Sequence, residues 1–189
     1  RSAPCCERKS PRLCVRLPEP RISTPSSARG ASACPKAHAR SASVVFTGLH
    51  GTGDTTVAEV LRAAGFRLSI EPTQASHDGS FPNVPFRTPN PEVRASMERA
   101  VALAKEQGAD LVMACDPDAD RIGLCCRDGD DFRFFTGNEI GVLVTEYRLL
   151  YGSCPRPIVL KTEVTSDLIR RVAERHGARV VGNLMVGFK

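Results

Sequence analysis

The stretch Asp110 to Gly123, DLVMACDPDADRIG, runs from an almost continuous apolar segment straight into three aspartates spaced two residues apart. Leu111 to Cys115 has the composition of a strand buried on both faces of a parallel sheet. That places the acidic loop at a strand's carboxyl end, the edge where open α/β sheets bind ligands. Three carboxylates crowded together repel one another strongly at low dielectric, and a cation removes that cost.

Asp116, Asp118 and Asp120 offer only oxygen donors. Such a set selects a hard ion, Mg²⁺ ahead of zinc, with Mn²⁺ or Ca²⁺ as substitutes. A calcium EF-hand starts with similar spacing but needs Gly at its sixth position and Glu at its twelfth; Arg121 and Arg127 stand there, which excludes it. Arg121 adds a planar fork suited to phosphate. Metal and arginine together imply a phosphoryl group, and a solvated acidic turn capped by its own arginine is the competing reading.

Working outward, strand and helix signals alternate on both sides of this loop. Val44 to Phe46 reads as a short strand, Gly48 to Gly53 as a turn, and Thr55 to Ala64 as a helix ending at Gly65. Phe66 to Ile70 predicts a strand, and Glu71 to Pro89 an irregular, Pro-punctuated loop. A helix is expected from Pro91 with Asn90 as N-cap, its inner face marked by Val93, Met97, Ala100, Val101 and Ala104. Ile122 to Cys126 and Phe132 to Phe135 predict an antiparallel pair around Asp128-Gly129, a hairpin dipeptide. Asn138 to Leu150 and Ser166 to Arg175 read as helices, Ile158 to Lys161 and Arg179 to Val181 as strands.

Residues 1–42 differ in kind. They are rich in Pro, Ser and Arg and hold nine Lys and Arg against two Glu, so the chain's net charge of +5 belongs to this tail. Disorder is the expectation there. An Arg- and Ser-rich transit peptide and a non-native coding stretch are the other two readings. The remainder carries a small acidic excess, which argues against nucleic acid as a partner. No apolar run approaches the roughly 18 residues needed to cross a bilayer, so no membrane partner is expected. The eight cysteines show no zinc-ribbon spacing and read as free thiols in a reducing, cytoplasmic compartment.

Asp110 to Gly123 resembles the metal-binding loop of the alpha-D-phosphohexomutases, and Thr136 to Gly141 (TGNEIG) the segment that follows it in the phosphoglucomutase and phosphopentomutase branch. Val45 to Gly53 is similar to that branch's strand and His-Gly-x-Gly turn, Phe81 to Glu92 to its Phe-Pro and Pro-Asn-Pro-Glu segment, and Lys161-Thr162 through Asp167 to its Lys-Thr strand and helix start. The resemblance implies an α/β fold of mixed sheets layered with helices: a second domain over 43–135 and the opening part of a third over 136–189. It also implies a mechanism in which a phosphoserine donates its phosphoryl group to a sugar monophosphate and is rephosphorylated by the reoriented bisphosphate. Asp116, Asp118 and Asp120 would hold Mg²⁺, and Arg121 would contact the moving phosphoryl oxygens. Gly187 and Lys189 resemble the start of a substrate loop, although Val186 replaces the usual Thr.

Other parts of that machinery have no counterpart here. Ala75-Ser76-His77-Asp78 looks like the family's nucleophile loop but falls inside the second domain, where the family has a variable loop, so Ser76 and His77 read as a chance look-alike. His50 reads as structural, and the glycines beside it as permitting tight backbone conformations. The expectation is an incomplete phosphoglucomutase-type isomerase acting on hexose phosphates, with pentose phosphates as a second substrate class, inactive alone. The alternatives are a non-catalytic interaction fragment using the basic tail and a metal-dependent phosphatase.

Overall fold

A computed structural model of the chain describes residues 42–152 and 154–186. The expectations for residues 1–41, and for Gly187 and Lys189, lie outside them. Five strands form the main sheet: β1 (Ser43–Thr47), β2 (Arg67–Ile70), β3 (Leu111–Cys115), β4 (Ile122–Asp128) and β5 (Asp131–Phe135), in the order β2-β1-β3-β4-β5. β1 runs parallel to β2 and β3, with Val45 opposite Ser69 and Val112. β4 and β5 are antiparallel additions, so β3 is parallel on one side only. The sheet is mixed, as the α/β reading expects.

Alternation along β1 and β3 feeds two cores. Val45, Val112 and Ala114 pack with Cys125, Phe132, Met97 and the buried alanines Ala100 and Ala104 of α2 (Glu98–Gln107). Phe46, Cys115 and Met113 face the other way, onto Ala58 and Leu61 of α1 (Val57–Ala63) and onto Leu68 and Ile70. Helices therefore cover both faces. Arg127 closes the end of α2: its Nε donates to the carbonyl of Ala109 at 2.8 Å and its Nη2 to that of Ala104 at 3.0 Å.

After β5 come α3 (Gly137–Tyr151), β6 (Ile158–Thr162), α4 (Asp167–Arg175) and β7 (Arg179–Leu184), with β6 and β7 a parallel pair. Thr136 and Glu139 form a reciprocal capping box on α3. Asn138 accepts a hydrogen bond from the backbone N–H of Ser166, the N-cap of α4, at 2.8 Å. No described helix is long and apolar enough to cross a membrane.

Three local expectations need correction. The helix predicted from Pro91 begins at Glu98, after a 3-10 turn over Arg94–Met97. Asn90 accepts from the N–H of Glu92, a local Asx turn rather than a helix cap, and Pro91 is buried against the sheet, so tertiary packing overrides the helical pattern. α1 starts at Val57 instead of Thr55, because the hydroxyls of Thr55 and Thr56 both donate to the carbonyl of Thr52. The hairpin turn is Gly129-Asp130, one residue later than expected, since Asp128 pairs with Asp131.

Candidate metal and phosphoryl site

Parallel β1 and β3 deliver their carboxyl ends to one edge of the sheet, and the Asp116–Arg121 loop leaves from that edge to return as β4. Asp116 is 1 % exposed, Asp120 72 %, and Asp118 lies on the surface with it. One carboxylate oxygen from each of Asp116, Asp118 and Asp120 falls within 4.8 Å of the others. The loop closes through Ala119, whose φ of 60° is left-handed and brings the backbone back over Asp116.

Asp116 is the anchor. Its Oδ1 accepts from the N–H groups of Asp120 at 3.1 Å and Arg121 at 3.0 Å, and its Oδ2 accepts from Arg121 Nε at 2.6 Å. Burial pushes its carboxyl up, but the bonds to Arg121 outweigh this and hold it below the usual carboxylate range. A carboxylate has about four acceptor positions, so Oδ2 keeps a lone pair for an ion.

Asp120 shifts the other way: the charges of Asp118 and then Asp116 raise its pKa. That is the signature of negative charge which the loop itself does not neutralise. Hard oxygen donors, close spacing and unbalanced charge make Asp116, Asp118 and Asp120 a set that could hold a divalent cation. Arg121, nearly half exposed, is kept charged chiefly by its bond to Asp116. Its bond uses Nε, and among the described residues its terminal amino groups have no hydrogen-bond partner. Cys115 beside them is no nucleophile, since burial, followed by the charges of Asp116, Asp54 and Asp118, pushes its thiol up to about 11.

The turn after β1 supports this loop in a way the sequence reading missed. The backbone N–H of Thr52 donates to the carbonyl of Pro117 at 2.9 Å and its hydroxyl to the same oxygen at 3.1 Å. Gly51 lies so close to Pro117 that a Cβ there would stand 2.1 Å from the Pro117 Cα. The reading of the turn's glycines also changes: Gly51 has an extended backbone, and the left-handed residues are Leu49 and His50, with φ of 47° and 67°. Gly51 is required for space, not for conformation.

The look-alike residues have other partners. His77 Nε2 pairs with Asp54 Oδ1 at 2.9 Å. The carbonyl of Ser76 accepts from the ring of His50, which is 3 % exposed and braces its own turn. The cysteines at 115, 125, 126 and 154 are free thiols.

Comparison with known proteins identifies a family for this chain. Residues 27–129, more than half of the chain, match the family model described as phosphoglucomutase/phosphomannomutase, alpha/beta/alpha domain II. A phosphoglucomutase of Staphylococcus saprophyticus is 39% identical over 156 residues, 80% of this chain and 28% of that protein. A phosphomannomutase of Mycoplasmoides pirum is 34% identical over 149 residues, 78% of this chain and 27% of that one. Among solved structures, a phosphoglucomutase/phosphomannomutase family protein from Burkholderia thailandensis superposes with a TM-score of 0.63 at 20% identity, over 77% of this chain and 30% of its own. A putative phosphomannomutase from Thermus thermophilus gives 0.58 at 25%, over 78% and 32%. The chain spans little more than a quarter of the length of the curated relatives it matches. With the acidic loop held at the carboxyl edge of a mixed sheet and the family model matched over β1 to β4 of that sheet, the chain belongs to the phosphoglucomutase/phosphomannomutase family.

Proposed function

We propose that residues 43–189 supply the metal-binding and phosphoryl-facing part of a sugar-phosphate mutase, one that exchanges phosphate between C1 and C6 of a hexose phosphate or between C1 and C5 of a pentose phosphate. The observation that carries the reading is the anchored loop: three carboxylates within 4.8 Å, one of them buried and locked to Arg121 Nε at 2.6 Å. Asp116, Asp118 and Asp120 hold Mg²⁺, which when bound offsets charge on the phosphoryl oxygens. Asp116 fixes the Arg121 guanidinium, and the terminal amino groups of Arg121 face those oxygens as charge-assisted donors. The Thr52–Pro117 contacts keep the loop in place without reorganisation on binding. By resemblance, Gly187 and Lys189 join the substrate contacts.

On this reading, with Ser76 taken as a chance look-alike of the family's nucleophile, the 189 residues alone bind Mg²⁺ weakly and give no mutase turnover. Calorimetry on the purified chain tests the metal assignment. Asp118→Asn should weaken Mg²⁺ binding about tenfold or more, in line with loss of one of three carboxylates; equal affinity would remove the basis for the site. Turnover by the purified chain that is abolished by Ser76→Ala would overturn the look-alike assignment.

A further inference from the structure

α3 has two unlike faces. Toward α4 it is packed: a Cβ on Gly141 would stand 3.1 Å from Ile169 Cδ1, and Glu146 Oε2 lies 2.8 Å from His176 Nε2, just past the end of α4. On the other face Leu143, Val144, Tyr147, Leu150 and Tyr151 follow one another at three- and four-residue spacing, the pattern of a helical stripe made for burial. Yet these five side chains are between 42 and 54 % exposed. The rings of Tyr147 and Tyr151 pack on each other with 4.9 Å between centroids, which holds the aromatic end of the stripe in place. The apolar surface continues beyond the helix. Val144 shares a groove of about 520 Å³ with Leu149, Pro157 and Ile158, and Ile158 of β6 is 56 % exposed.

Single exposed apolar residues are ordinary, but a contiguous patch marks a surface that something covers. Charge and size point to what covers this one. Glu146 and Arg148 stand one residue before and one after Tyr147, so at about 100° per residue they flank the stripe on opposite sides. When two copies pair with these helices parallel about a two-fold axis, each apolar residue meets its own counterpart, and Arg148 of each copy comes beside Glu146 of the other, as at the flanking positions of a parallel coiled coil. The stripe and Ile158, each side chain about half exposed, present roughly 600 Å² per copy. Burying that surface on both copies removes roughly 1,200 Å² from water, the lower end of the range for a specific interface.

We propose that the exposed face of α3 is a self-association surface on which a second copy of this chain docks, helix against helix and parallel, to form a weak two-fold dimer. The inference is independent of the reading of the acidic loop.

The test is sedimentation equilibrium of the full chain from low to high micromolar concentration, where the average mass should rise from monomer toward dimer. Leu150→Glu sets two carboxylates face to face across the pair and should weaken association about tenfold or more, while the Tm of the dilute chain stays unchanged. Leu150→Lys should act alike on its own. An equimolar mixture of the two variants should associate again, because each position 150 then meets the opposite charge. Arg148→Glu should weaken association about two- to fivefold, the range for an exposed ion pair, and the difference should shrink at high salt. A monomer at every concentration overturns the proposal. So does association that Leu150→Glu leaves intact, which would place the contact on the basic tail or another face, and so does a mixture of the two charged variants that stays monomeric while the parent chain dimerises. If the position-150 variants do not fold, Arg148→Glu decides: association equal to the parent's at low salt overturns the pairing.

Discussion

Replacing Gly51 by Ala puts the support of the acidic loop to its sharpest test. The added Cβ would meet the Pro117 Cα at 2.1 Å, its carbonyl oxygen at 2.4 Å and its carbonyl carbon at 2.6 Å, all backbone atoms with no rotamer to retreat into. Carbon atoms pack at about 3.5 Å or more, so Pro117 must retreat by about 1.4 Å. That movement stretches both Thr52 bonds to the Pro117 carbonyl, at 2.9 and 3.1 Å, beyond hydrogen-bonding range. Each of the two lost bonds costs about 1 kcal/mol and the overpacking about 1–3 kcal/mol, so the expected loss of stability is about 3–5 kcal/mol. Because Pro117 lies between Asp116 and Asp118, Mg²⁺ affinity should fall about tenfold or more as well. Urea titration followed by circular dichroism gives the first quantity, and calorimetry the second. Gly79→Ala is the control: a Cβ there meets nothing within 4 Å, and stability should stay within about 0.5 kcal/mol. If Gly51→Ala matches the parent in both assays, the loop does not lean on this turn and the reasoning fails.

The remaining expectations concern charge and capping. Asp110 accepts from the N–H and the hydroxyl of Ser43, both at 2.7 Å, and these bonds, the backbone one foremost, lower its pKa. A carboxyl depressed in the folded state stabilises above its unfolded value near about 3.9 and loses that contribution as pH falls through the folded pKa. Asp110→Asn should therefore lower Tm at neutral pH, with the difference closing below about pH 4. Asp120 carries the opposite sign: its ionised form is disfavoured in the folded chain by Asp118 first and Asp116 next. The unliganded loop thus destabilises as pH rises through the raised pKa, and Mg²⁺ should release protons on binding, seen as a buffer-dependent enthalpy in calorimetry. Arg127→Met removes two bonds to the closing carbonyls of α2 and the stacking of the guanidinium at 5.0 Å over Phe132. It should cost about 1–3 kcal/mol in denaturant titration and leave Mg²⁺ affinity untouched.

How much could be read beforehand depended on how local the cause was. The apolar run of β3, the three aspartates and Arg121 are contiguous, and their spacing alone put Asp116 at the end of a buried strand, where it is. The helical patterns of α3 and α4 were equally local, whereas the start of α2 was not. Asn90-Pro91 has the chemistry of a helix entrance, but Pro91 is drawn into the sheet beside Gly123, and burying it there delays the helix to Glu98. The region around the site behaves similarly: a sequence motif marks the Gly48–Gly53 turn, but nothing in that motif says what its glycines are for.

From sequence alone came the α/β class, the acidic loop with its three carboxylates, and the family, because each rests on residue types within a few positions of one another. Tertiary structure decided the rest. The pairing of β1 with β3 brings Gly51 and Thr52 onto Pro117, across 65 residues of chain. The burial of Pro91 brings Glu92 against the start of α3, with its Oε1 2.9 Å from where a Cβ on Gly137 would sit. Contacts of this kind depend on which strands become neighbours and how closely two backbones can approach, and no local pattern of residues encodes either.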